Sequence, residues 1–136
     1  MNLNAVLHHI SPLDMTCLTR PAPAVEQYFQ HYGLDFADTM AGVSQHIGSF
    51  ESGHFDIVCQ LFLRQNPRGT VFVVHGYFDH VGLYAPLIGH LLSKGYSVVA
   101  FDLPGHGLSS CETASISSFS HYDKALDSVL ERFGLK

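Results

Sequence analysis

The second half of the chain alternates short apolar runs with segments of helical periodicity. Residues 71–74 and 98–101 are uninterrupted strongly apolar runs, which are typical of strands buried on both faces. Between them, apolar side chains recur at helical spacing from Tyr84 until Gly95, and a second helical pattern runs from Ser120 to Phe133. The order strand, helix, strand, helix predicts an α/β fold with parallel strands joined by a right-handed crossover.

The first half gives weaker signals. Residues 1–20 show no clear periodicity, and we expect an irregular lead-in there. A short helix is predicted before Gly33 because four apolar residues share one helical face: Val25, Tyr28, Phe29 and Tyr32. Two extended runs between residues 43 and 63 flank the turn signal Ser52-Gly53, which predicts a β-hairpin. We therefore divide the chain into an N-terminal extension with a short helix, residues 1–42, and an α/β part, residues 43–136.

Composition narrows the functional classes. The chain is 46% hydrophobic and only 14% charged, against about 25% charged in an average soluble domain, which favours a folded core and excludes disorder. No apolar run approaches the roughly 20 residues of a transmembrane helix. The net charge of −5, without a basic stripe, argues against a nucleic-acid partner and favours a small ligand.

The basic residues near the N-terminus and the cysteines indicate the cellular compartment of the protein. Arg20 is the only Lys or Arg among the first twenty residues, which argues against a secretory signal and predicts a cytoplasmic protein. The widely spaced cysteines Cys17, Cys59 and Cys111 fit neither a disulfide framework nor a zinc ribbon. We read them as ordinary thiols.

Two motifs follow the two predicted parallel strands. The first is His75-Gly76-Tyr77-Phe78-Asp79-His80, and the second is Asp102-Leu103-Pro104-Gly105-His106-Gly107-Leu108-Ser109. Ligands of such sheets bind beyond the carboxyl ends of the strands, where both loops lie. Together the motifs resemble the N-terminal signatures of α/β-hydrolases, and most closely those of the monoacylglycerol lipase and lysophospholipase branch. The resemblance covers about residues 44–133.

The resemblance implies a serine hydrolase that cleaves a small hydrophobic acyl ester through an acyl-serine intermediate, without a metal or organic cofactor. It assigns the backbone N–H of Tyr77 as an oxyanion donor. Residues that would support the oxyanion loop are His75, Gly76, Phe78, Asp79 and His80. Residues that would form the scaffold of the second loop are Asp102, Gly105, His106, Gly107 and Ser109.

The nucleophile of such an enzyme sits on a Gly-x-Ser-x-Gly turn between a strand and a helix, and this sequence does not occur in the 136 residues. Ser109 follows Gly107 at the required offset, but Cys111 occupies the position of the second glycine. We therefore expect an α/β-hydrolase domain truncated before its nucleophile elbow, with the catalytic Ser, Asp and His outside the chain. Such a chain alone is expected to be inactive.

Two alternatives remain open at this stage. Residues 75–80 also resemble the His-x-His-x-Asp-His zinc motif of the metallo-β-lactamase superfamily, although Tyr77 stands where the second histidine should be. Hydrolytic zinc normally takes three protein ligands plus water, and that superfamily leaves residues 102–109 unexplained. The other alternative is a non-catalytic fragment that still binds a ligand.

Overall fold

A computed structural model describes residues 2–53, 55–76, 79–109 and 120–134. The elements within these ranges follow in the order α1 (Leu3–Leu7), α2 (Pro23–Tyr32), α3 (Phe36–Thr39), β1 (Val43–Ser52), β2 (Phe55–Arg64), β3 (Thr70–Val74), a 3₁₀ turn (Val81–Tyr84), α4 (Ala85–Ser93), β4 (Ser97–Phe101) and α5 (Ser120–Arg132). None of the helices in these ranges combines the length and the apolar character needed to cross a bilayer.

The strands form one mixed sheet in the order β1-β2-β4-β3. β1 and β2 are antiparallel and meet at the predicted hairpin, where Ser52 lies opposite Phe55. Gly53 has φ 60, a left-handed backbone conformation that suits glycine in such a turn. β4 pairs antiparallel with β2 and parallel with β3, so that Val74 lies beside Phe101. The hairpin, the parallel pair and the α/β fold class are confirmed.

Helices cover both faces of the sheet, which explains why the central strands are apolar at successive positions. One face of β2 packs Val58 and Phe62 into a core with α2 and α4, while the other packs Ile57 and Leu61 into a core with α5. All five residues of β4 are buried. The two-sided core fixes β4 in place, and with it the start of the second motif loop. β3 lies at the edge of the described sheet, where Val73 is buried but Val74 is exposed, so it is less buried than its apolar run predicted.

The expectation of an irregular lead-in over residues 1–20 is wrong in part. Residues 3–7 form helix α1, whose first N–H groups are capped by the side chain of Asn2. Pro12 forms a parallel bridge with Ser49, and Leu13 donates its N–H to the Ser49 carbonyl at 2.8 Å. A single helical turn and an isolated bridge are too short to create a periodic pattern, so neither could be predicted from the sequence.

Other helix boundaries agree with the sequence to within a few residues. α2 ends at Gly33, which has φ 70, and α5 ends just before Gly134, which has φ 71. The 3₁₀ turn Val81–Tyr84 lies between the first motif and α4. Among the described residues, β3 has β4 as its strand neighbour on one side and no strand on the other.

Candidate functional site

The two motif loops leave the sheet side by side. β3 and β4 are parallel neighbours, so His75 and Asp102 follow strand ends that lie next to each other. His75 is buried, and its Nε2 accepts a hydrogen bond from the backbone N–H of Leu103 at 2.9 Å. A single side chain of the first loop therefore connects it to the backbone of the second.

The same hydrogen bonds define the protonation state of His75. Its Nδ1 lies 2.7 Å from the carbonyl oxygen of Gly76, which can only accept, so Nδ1 carries the proton. Nε2 faces the N–H of Leu103 and must be unprotonated. Burial lowers the pKa of His75 below its ordinary value of 6.5, although the Gly76 carbonyl and Asp102, whose Oδ1 is 4.0 Å from Nε2, favour the charged form.

Asp102 connects three segments of the chain. Its Oδ1 accepts the N–H of Val81 at 2.8 Å, and its Oδ2 accepts the N–H of Leu108 at 3.0 Å. The side chain is fully buried, and burial raises the pKa of Asp102 while these two N–H groups oppose the rise. The carboxyl group therefore fixes the ends of both loops from the interior.

Gly107 and Ser109 complete the second loop. Gly107 has φ 48, and a Cβ built on it would lie 2.5 Å from Cγ of Asp102. Ser109 accepts the N–H of Val58 at 3.0 Å and donates its hydroxyl to the Asp102 carbonyl at 2.5 Å. The Ser109 hydroxyl therefore accepts a hydrogen bond from β2 and donates another to the start of its own loop.

The remaining second-loop residues lie in the same cluster. Gly105 has φ 75 and allows the turn. His106 is buried, with its Nδ1 3.0 Å from the Pro104 carbonyl oxygen and its ring centroid 5.0 Å from that of His75. The structure thus brings His75, Asp102 and His106 together beneath the loops.

The first loop is held by hydrogen bonds within itself. The N–H of Asp79 donates to the Gly76 carbonyl at 3.0 Å, and the N–H of Gly76 donates to the Tyr84 hydroxyl at 3.1 Å. Tyr84 in turn donates its hydroxyl proton to Oδ2 of Asp79 at 3.0 Å. In the sequence, Tyr84 marks only the start of a helical pattern, and this contact was not predicted.

His80 lies slightly apart from this network. Its Nδ1 accepts the N–H of Gly82 at 3.1 Å, and its ring packs edge-on against Tyr32 with centroids 5.0 Å apart. His80 therefore caps the 3₁₀ turn against α2. Tyr77 and Phe78 lie outside the described residues.

The zinc alternative finds no support in this geometry. The ring nitrogens of His75 are both occupied by backbone groups, and Nδ1 of His80 accepts a backbone N–H. Within the described parts of the chain, no group of three or more His, Cys, Asp or Glu side chains is arranged to hold a metal ion.

A separate cavity of about 330 Å³ lies among α2, α3 and the start of β1. It is at the other end of the sheet, because Val43 pairs with Arg64, whose N–H bonds the Ser97 hydroxyl at the start of β4. The buried side chain of Gln45, which lines this cavity, accepts the N–H of Ala37 and donates to the Leu34 carbonyl. The motif loops therefore remain the better candidate site.

The lowered pKa of His75 predicts a pH dependence of stability. Because the folded pKa lies below 6.5, the unfolded state binds more protons between the two values, and stability falls as pH drops through that window. We expect His75→Gln to remove up to about 1.4 kcal/mol per pH unit from the slope of the unfolding free energy against pH, in the range below pH 6.5.

Urea unfolding followed by circular dichroism at each pH measures the slope. The exposed His9 provides the control, since His9→Gln should leave the slope unchanged. Equal slopes for wild type and His75→Gln would show that the buried imidazole does not titrate as described.

Comparisons with known proteins agree with the motif loops. A family model described as "Serine aminopeptidase, S33" matches residues 65–135. Phospholipase YtpA from Bacillus subtilis (strain 168) is 33% identical over 66 residues, which are 48% of this chain and 26% of that protein.

Solved structures show the same fold. A soluble variant of monoglyceride lipase from Saccharomyces cerevisiae matches with a TM-score of 0.58 and 22% identity, over 65% of this chain and 31% of that one. A protein from Thermoplasma acidophilum described as a "predicted CIB-like hydrolase" matches with a TM-score of 0.54 and 21% identity, over 68% of this chain and 47% of that one. The chain thus spans less than half the length of these proteins, and its sheet corresponds to part of theirs.

Proposed function

Since the chain belongs to the serine aminopeptidase S33 family of α/β-hydrolases, we propose that it forms the N-terminal part of a serine hydrolase acting on small hydrophobic acyl esters. In this proposal the chain supplies the oxyanion loop and the scaffold beneath it. The nucleophile and its acid and base partners lie beyond these residues.

The arrangement of the Gly76 peptide is the observation that carries the proposal. Its carbonyl oxygen accepts two hydrogen bonds, from Nδ1 of His75 and from the N–H of Asp79. We infer that these bonds also restrict the N–H in the same planar peptide unit, the one that the resemblance assigns as an oxyanion donor. A preoriented backbone N–H is what acyl transfer needs to stabilise the oxyanion of its tetrahedral intermediate.

The second loop supports the proposal by making the first one rigid. Asp102 bonds the N–H of Val81 at the far end of the first loop, and Leu103 bonds His75 at its beginning. Both anchors are buried, so solvent does not compete for them. Oxyanion stabilisation depends on donors that need no reorganisation during the reaction, which such anchoring provides.

Ser109 is not proposed as the nucleophile. Its hydroxyl is buried, accepts the N–H of Val58 and donates to the Asp102 carbonyl. A serine nucleophile must instead donate its proton to a general base and face the substrate. We assign Ser109 to the scaffold.

Hydrolysis assays on the full-length protein test the proposal. We expect turnover of p-nitrophenyl butyrate and octanoate, unaffected by a metal chelator, and much slower turnover of alanine p-nitroanilide. Inhibition by the chelator would favour the zinc alternative. Faster turnover of the anilide would indicate a peptidase, and no turnover of any substrate would favour a non-catalytic binding protein.

A further inference from the structure

We propose that Tyr84, acting with Asp79, is a positioning residue that sets the orientation of the oxyanion loop. The inference rests on the proposed function and extends it to a residue outside the two motifs. Tyr84 acts through the Gly76 peptide.

The first step is the hydrogen-bond chain that joins the three residues. The N–H of Gly76 donates to the Tyr84 hydroxyl at 3.1 Å, and that hydroxyl donates to Oδ2 of Asp79 at 3.0 Å. The N–H of Asp79 returns to the Gly76 carbonyl at 3.0 Å. The chain is therefore a closed ring, with both polar groups of Gly76 included.

The chemistry of the hydroxyl makes it suited to this place. A phenol can donate one proton and accept at the same oxygen, which matches a backbone N–H on one side and a carboxylate on the other. Donation to Asp79 polarises the hydroxyl and makes it a better acceptor for the Gly76 N–H. Phenylalanine would keep the ring but leave both of these groups without their partner.

The position of Tyr84 connects the ring to the rigid scaffold. Tyr84 ends the 3₁₀ turn Val81–Tyr84, whose first N–H is bound by the buried carboxyl of Asp102. Its half-buried side chain packs against the core beneath α4. The position of the hydroxyl is thus fixed by the same carboxyl group that fixes the second loop.

Space around Gly76 is limited. A Cβ at this residue would lie 3.1 Å from Oδ2 of Asp79, so the carboxylate lies close to the Gly76 backbone. Without the Tyr84 hydroxyl, this carboxylate is expected to turn to solvent, and the Gly76 peptide loses one of its restraints. We expect the loss to weaken the stabilisation of the oxyanion and to leave binding of the ground-state substrate unchanged.

The test uses Tyr84→Phe in the full-length protein with p-nitrophenyl butyrate. We expect kcat per titrated active site to fall about tenfold, less than the 10²–10³ typical of a deleted donor, with KM within twofold of wild type. Affinity for an alkyl trifluoromethyl ketone, which forms a tetrahedral oxyanion on the enzyme, should fall by a similar factor. Affinity for the corresponding alcohol should not change.

Matched variants separate positioning from folding. Tyr96→Phe removes a hydroxyl from another half-buried tyrosine, which stacks with Arg68 near the opposite end of the sheet, and should behave as wild type. Asp79→Asn retains an oxygen that can accept from Tyr84 and should keep more of the kcat than Asp79→Ala. This pair carries the test if Tyr84→Phe does not fold.

The outcomes distinguish this inference from the proposed function. An active wild type with unchanged kcat and ketone affinity in Tyr84→Phe would overturn the positioning role and leave the proposed function standing. The positioning role would equally be overturned by equal losses in Asp79→Asn and Asp79→Ala. A wild type that hydrolyses no ester would overturn the proposed function, and this inference with it.

Discussion

Replacing Gly107 by alanine is expected to destabilise the full-length protein by at least about 3 kcal/mol. The left-handed backbone at φ 48 costs a non-glycine residue roughly 1–2 kcal/mol. The new Cβ would also lie 2.5 Å from the buried carboxyl group of Asp102. Moving that group would break its bonds to Val81 and Leu108, and each buried N–H left unpaired costs about 1–3 kcal/mol.

Gly33→Ala is the matched control. Gly33 also has a left-handed backbone, φ 70, but a Cβ there would meet no atom within 4 Å. We therefore expect Gly33→Ala to cost only the backbone strain, about 1–2 kcal/mol. Urea unfolding of both variants by circular dichroism measures the difference, and equal losses would show that Asp102 can move without breaking its hydrogen bonds.

The second large effect is the loss of hydrolysis expected when the nucleophilic serine, which we place beyond the described residues, is mutated. α5 ends at Arg132, and Gly134 with φ 71 turns the chain away from the helix. A helix-to-strand loop takes about 2–6 residues and a strand about 5–6. A Gly-x-Ser-x-Gly is therefore expected roughly 8–15 residues after Phe133 in the reading frame, following a strand that pairs with the side of β3 opposite β4.

Mutation of that serine should abolish hydrolysis. We expect its alanine variant to lower kcat by at least about 10⁴-fold, as for nucleophiles of other serine hydrolases. Ser93→Ala, which alters an exposed serine at the end of α4, serves as the control and should retain full activity. A reading frame that continues for about forty residues after Phe133 without this motif, a length several times the loop and strand expected there, would contradict the assignment.

Local signals made much of the fold predictable. The apolar runs of β3 and β4, the hairpin turn at Gly53 and the helix end at Gly33 all depend on residues adjacent in sequence. α1 and α3 are four or five residues long, and their formation depends on packing against α2 and β1. No sequence periodicity can report such short helices.

The candidate site likewise has a part that the sequence predicted and a part that depends on the packing of distant segments. The motifs place His75 and Asp102 at neighbouring strand ends, which follows from the parallel pairing of β3 and β4. The hydrogen bonds between distant parts of the chain were not predictable. Leu103 is 28 positions from its partner His75, and Val58 is 51 positions from its partner Ser109. Those contacts depend on the strand order, in which β4 lies between β2 and β3.

Labelling with a fluorophosphonate probe tests the central claim most directly. The probe is applied in parallel to the 136-residue chain and to the full-length protein, and the labelled peptide is located by mass spectrometry. The account predicts no labelling of the 136-residue chain and stoichiometric labelling of one serine beyond Lys136 in the full-length protein. Stoichiometric labelling of Ser109, or of any other serine within the chain, would contradict it.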